Sequence, residues 1–121
     1  MKLIDTNIFI YSAQPEYAYL RTLFAETNVY YASVSKIETL GFHQLKAKHK
    51  AYFETAFDMV TPISLTSDVI EKAISLRQQR KMKLGDSIIG AVAILYDLEL
   101  YTRNVTDFDW IAGVKLHNPI L

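Results

Sequence analysis

Apolar residues recur along the chain with two alternating periods. Leu3 and Ile4 form a short apolar run that ends on Asp5 and predicts a first strand. Residues 6–13 predict a short apolar helix, stopped at the Gln14-Pro15 step because a residue before proline is pushed out of helical geometry. Glu16 to Glu26 predicts a second helix, with Tyr17, Leu20 and Phe24 on one face. Val29-Tyr30-Tyr31-Ala32-Ser33-Val34 is rich in β-formers and predicts strand two. Ser35 then opens a helix to about Lys48, with Ile37, Leu40 and Leu45 spaced along it, and residues 50–60 predict another, with Tyr52, Phe53, Ala56, Phe57 and Val60 inward.

Pro62 to Leu65 predicts a third strand. Ser67 caps a helix to about Arg80, with Val69, Ile70, Ala73 and Ile74 inward. Gly85-Asp86 opens a helix whose Ile88, Ile89, Val92, Ala93, Leu95 and Tyr96 leave little polar face, so it is expected to be largely buried. Glu99 to Thr102 predicts strand four, Asn104 to Trp110 a loop or single turn, and Val114 to Leu116 strand five. Strands alternating with helices imply right-handed crossovers and a mostly parallel sheet: an α/β fold, a three-layer α/β/α sandwich. A chain of 121 residues is expected to form one domain, 1–121, burying about two-thirds of its unfolded surface.

The absence of cysteine excludes disulfides, thiolate metal sites and cysteine nucleophiles. Lys plus Arg equals Asp plus Glu, which argues against holding nucleic acid by bulk charge but not against an acidic site offset by a basic rim. Ser87 to Tyr96, the longest nearly uncharged apolar stretch, is far too short to span a membrane, and the start of the chain lacks a signal-peptide layout. A cytoplasmic protein without membrane attachment is expected.

The chemistry lies in the acids. Asp5 ends strand one, Glu38 follows strand two, Asp86 opens the buried helix and Asp107 follows strand four. All four sit at a strand end or the start of the next helix, so they can converge on one edge of the sheet, where open α/β folds bind ligands. Clustered carboxylates repel each other unless something positive lies between them. An all-oxygen site suits Mg2+ or Mn2+, and such sites typically support metal-assisted phosphodiester hydrolysis. Each acid also has an ordinary structural explanation. Ser35-x-x-Glu38 reads as a capping box, Asp86 as a cap or a dipole partner, and Asp107 and Asp109 as turn residues. Asp5 is hardest to explain so, since it closes a buried strand.

The sequence resembles the PIN-domain ribonucleases, and in its length the VapC-type toxins of toxin–antitoxin pairs. The residues carrying the resemblance are Leu3-Ile4-Asp5-Thr6-Asn7, Ser35-x-x-Glu38, Leu84-Gly85-Asp86-Ser87-Ile88-Ile89 and Thr102-Arg103-Asn104-x-x-Asp107-Phe108. The resemblance implies an Mg2+- or Mn2+-dependent endoribonuclease acting on RNA, commonly a homodimer, inhibited by a small antitoxin protein. It makes Asp5, Glu38, Asp86 and Asp107 the metal-binding catalytic acids, with Thr6 and Asn104 as supporting polar residues. Gly41 lies three residues after Glu38 where the family often has a glycine four after, and Asp109 competes with Asp107 as the fourth acid.

The basic run ahead of Gly85-Asp86 contains Arg77, Arg80, Lys81 and Lys83, and reads either as a rim for RNA phosphates or as a solvated helix end. Lys46, Lys48, His49 and Lys50 form a second run. The three histidines have no metal-ligand spacing, and no glycine-rich phosphate loop or Gly-x-Ser-x-Gly elbow is present. A receiver-type domain would need an aspartate ending its middle strand, where Ser64-Leu65-Thr66 offers none. The remaining alternative is a catalytically silent PIN-like module acting through protein or RNA binding.

Overall fold

The computed structural model describes residues 1–121. Five strands, β1 (Lys2–Ile4), β2 (Val29–Ala32), β3 (Thr61–Ile63), β4 (Glu99–Tyr101) and β5 (Lys115–His117), form one sheet in the order β3-β2-β1-β4-β5. Every neighbouring pair is parallel; Leu3, in the central strand, sits opposite both Tyr30 and Leu100. Successive side chains of a strand point to opposite faces. Leu3 and Ile4, both fully buried, therefore belong to two different cores. The strand order runs outward in one direction from β1 to β3 and in the other from β4 to β5. The reversal places a crevice at the carboxyl ends of β1 and β4, and Asp5 follows β1 there.

On the Ile4 face lie α1 (Thr6–Ser12), a 3₁₀ segment (Pro15–Ala25) and α3 (Ala47–Met59). Phe9 anchors this core, stacked on Phe57 at 4.2 Å and Phe24 at 4.8 Å between ring centres. The segment expected as a helix is 3₁₀ and kinked at Tyr17, whose backbone is not helical; beyond the kink, Leu20 and Leu23 have the three-residue spacing that lines up along such a helix. On the Leu3 face lie α4 (Ser67–Gln79) and α5 (Leu84–Leu95). Every residue from Ser87 to Ala93 is buried, as the all-round apolar pattern of α5 requires.

Several boundaries differ from expectation. Helix α2 (Ser33–Leu40) begins two residues before Ser35, with Ala32 at its cap, so strand two loses Ser33 and Val34. The strand stops where its partner does: Ala32 pairs with Ile63, and the Ser33 hydroxyl then donates to the Ile63 carbonyl. Helix α2 stops at Gly41 rather than near Lys48, and α3 starts at Ala47 and takes in Lys48, His49 and Lys50. Thr66, not Ser67, caps α4, its hydroxyl accepting from Val69 N.

The inward face of α4 is Val69, Ala73 and Leu76, while Ile70 and Ile74 are 43% and 45% exposed. One neighbour, α5, takes only a narrow stripe of α4. Leu95 and Tyr96, beyond the covered part of α5, are exposed too.

Candidate functional site

Asp5 follows β1 and caps α1. One carboxylate oxygen accepts from Thr6 N at 2.8 Å and the other from the Thr102 hydroxyl at 2.7 Å. The expectation that Asp5 has no cap to make is therefore corrected. A cap accounts for one oxygen only, and the residue is 4% exposed. Burial pushes its carboxyl up to about 6, and the charges of Asp86 and Glu38 push the same way. The hydrogen bonds from Thr102 and Thr6 oppose that rise.

Glu38 reaches Asp5 through Thr6. The Thr6 hydroxyl lies 2.7 Å from Glu38 Oε1 and 2.9 Å from Ser35 Oγ. The Thr6 hydroxyl is the donor toward both, so its single proton is shared between the Glu38 carboxylate and the Ser35 oxygen. Ser35 is buried within α2 and caps nothing, so the capping-box reading of Glu38 fails. Gly85 lets the start of α5 approach: a Cβ there would lie 2.5 Å from Glu38 Oε2.

Asp86 lies in the first turn of α5 and is half-buried. Burial and the charges of Asp107 and Glu38 push its carboxyl above the usual carboxylate range, while the Lys83 ammonium pulls it down. Asp86 and Asp107 share a groove of about 430 Å³ with Arg80, Lys81, Lys83 and Trp110. Arg77, on the last turn of α4, does not line it, and neither does Asp109. The exposed Asn104 opens the 3₁₀ turn Val105–Asp107, its backbone N donating to the Thr102 hydroxyl at 3.0 Å.

Three contributors went unassigned in the sequence. Thr102 is fully buried and holds both Asp5 and Asn104; Asn7 accepts from Arg103 N at 3.3 Å; Gly85 makes room for Glu38. All three stand inside the quoted motifs, whose spacing marks them without saying what each touches.

The electrostatics link the acids: Asp5 feels Asp86 and Glu38, and Asp86 feels Asp107 and Glu38. Only Lys83 answers them among the causes acting on Asp86. Hard oxygen donors in mutual repulsion fit a divalent cation such as Mg2+ or Mn2+. No three Asp, Glu or His side chains are gathered tightly enough to form a ready-made ion site.

Residues 2–113 match the family described as PIN domain. Among solved structures, the chain is 32% identical to one in a toxin–antitoxin complex from Klebsiella pneumoniae, covering 99% of this chain and 98% of that one at TM-score 0.78. It shares its fold with a chain of DNA-bound VapBC from Salmonella typhimurium, at 17% identity over 96% of each chain and TM-score 0.82. It does so also with FitAcB from Neisseria gonorrhoeae, at 22% identity over 98% of each chain and TM-score 0.75. No curated protein matches the sequence.

Proposed function

As the chain belongs to the PIN-domain family, we propose that it is a divalent-metal-dependent endoribonuclease and the toxin of a toxin–antitoxin pair. The observation that carries the reading is Asp5: a buried, hydrogen-bonded carboxylate at the sheet's switch point, pushed up by burial and further by the charges of Asp86 and Glu38. In this reading Asp5, Glu38, Asp86 and Asp107 hold Mg2+ or Mn2+. The ion would supply activation of water and neutralisation of charge on the phosphate. Thr102 and Thr6 keep the Asp5 carboxylate oriented, Thr6 does the same for Glu38, and Asn104, tied to Thr102 through its backbone, is the further supporting polar residue. Attack by water, and not by the ribose 2′-hydroxyl, leaves a 5′-phosphate and a 3′-hydroxyl.

The antitoxin part of the proposal draws on the Klebsiella complex and on an open groove of about 530 Å³ beside Glu38. Ile10, Phe42, Leu45 and Phe53 give it an apolar lining that a short amphipathic segment would cover. The exposed Ile70 and Ile74 on α4 suit the homodimer we propose. We place the activity in the cytoplasm; no helix is long and apolar enough to cross a membrane.

The test is cleavage of a labelled, structured RNA by the purified protein with Mg2+, Mn2+ or EDTA, beside Asp86→Asn. Metal-dependent cutting that the variant loses is the expected result. Absence of both cutting and Mn2+ binding would overturn the reading in favour of a silent binding module.

A further inference from the structure

The connection from α4 to α5 carries Arg80, Lys81 and Lys83 within four residues, and it folds against the turn that bears Asp107. The groove between them has three cationic side chains against two carboxylates. Trp110 closes it and does two separate things. Its Nε1–H donates to the Asp107 carbonyl at 3.0 Å, which ties down the turn. Its ring lies under the Arg80 guanidinium, 5.6 Å from the ring centre.

A guanidinium held over an indole has given up rotamer freedom before any ligand arrives, so less is lost when it binds one. No carboxylate claims Arg80: the side-chain ion pairs of the chain are Lys2–Glu26 and Lys115–Asp97. Its planar donors therefore remain free for an anion that can take two hydrogen bonds at once, as a phosphate can. Lys83 is partly engaged by the charge of Asp86, which leaves Lys81 as the second cation.

We propose that Arg80, positioned by Trp110, grips a phosphate of the RNA strand flanking the cleaved bond, with Lys81 as a second contact. The groove ends on Asp86 and Asp107, so a strand lying in it passes directly to the acids. Trp110 is a positioning residue; Arg80 and Lys81 set affinity and carry no base specificity. The inference rests on the nuclease reading, and its test separates the two.

Steady-state cleavage of a labelled single-stranded RNA with Mn2+, at several KCl concentrations, compares wild type with Arg80→Ala, Trp110→Leu, Trp110→Phe and the Arg80→Ala/Trp110→Leu double variant. Arg80→Ala should raise KM about tenfold, the size of one charge-assisted hydrogen bond, with kcat changed by less than about threefold. It should also flatten the dependence of log(kcat/KM) on log salt by about 0.7, one single-strand phosphate contact.

Trp110→Leu should raise KM as much, and the double variant no further, because the two residues act through one contact. Trp110→Phe keeps a π face and loses the Nε1–H, so it should restore KM while lowering kcat through the loosened Asp107 turn. An Arg80→Ala variant with wild-type KM and salt slope overturns the inference while the nuclease stands. So do independent, additive effects of Arg80 and Trp110 on KM, for the positioning role. A wild type that neither cuts RNA nor binds Mn2+ overturns both readings.

Discussion

Both Asp5 oxygens are hydrogen-bonded, yet burial still pushes its carboxyl from the usual carboxylate range to about 6. The folded protein holds that proton more tightly than the unfolded chain does. The stabilisation from protonated Asp5 is thus fully present below about pH 4 and is lost as pH rises through 6. Keeping the buried carboxyl ionised at neutral pH therefore costs about 3 kcal/mol. In EDTA at pH 7.5, Asp5→Asn should therefore be more stable than wild type by about 1–2 kcal/mol, the remainder going to an imperfect amide contact with Thr6 or Thr102. Denaturant midpoints should draw together and cross as pH falls from 6 to 4, leaving wild type the more stable; a variant less stable than wild type at pH 7.5 would sink the assignment. Gly85 gives a second residue-scale outcome. Alanine improves helix propensity by about 1 kcal/mol. Its Cβ would nevertheless meet Glu38 Oε2, so the carboxylate that takes the Thr6 hydroxyl on its other oxygen must shift. Gly85→Ala should fold with an unchanged or raised Tm and lose about 100-fold in cleavage, as small misplacements at reacting centres do. Normal cleavage by a folded Gly85→Ala would show that Glu38 need not stand where it does.

At the scale of elements, the helix starts decide which polar residues are structural and which are left for chemistry. Helix α4 starts one residue away from its sequence signal, since Thr66, not Ser67, accepts from Val69 N, at 3.3 Å. Thr66→Ala should cost about 1 kcal/mol and Ser67→Ala only a few tenths, read from urea midpoints at constant slope. The reverse order would restore Ser67 as the cap. Helix α2 is the more consequential case. Its start at Ser33 moves Ser35 from a cap to a buried interior position against Thr6. Capping signals overlap within Ser33-Val34-Ser35, and the length of β2, set by its pairing with β3, resolves them.

For the molecule as a whole, the acids make the folded state electrostatically uncomfortable without a cation. Anything that binds them only when folded adds stability by mass action. At a hundred times its dissociation constant, Mn2+ should add about 2.7 kcal/mol, a Tm rise on the order of 10 °C for a chain of this size. Differential scanning fluorimetry should show the rise with Mn2+, its reversal by EDTA, and most of it missing in Asp86→Asn. An equal rise in wild type and variant would mean that the ion binds elsewhere.

The alternation of apolar periods determined the α/β class and the parallel sheet, because strands separated by helices pair side by side through crossovers that keep them parallel. The burial of α5 was legible for the same reason: its pattern has no polar side. The four acids were legible as a set, because strand ends and helix starts share one edge of such a sheet. The tertiary structure alone decided what each acid touches. Thr102, 97 residues from Asp5 in the chain, supplies the donor to its second oxygen. Gly85 makes room for Glu38, and Trp110 turns a basic run into one oriented guanidinium. It also left Ile70 and Ile74 outside, although their period reads as core, because α5 covers a narrower stripe than the pattern offers. Periodicity records which residues can be buried, and contacts between distant segments decide which of them are.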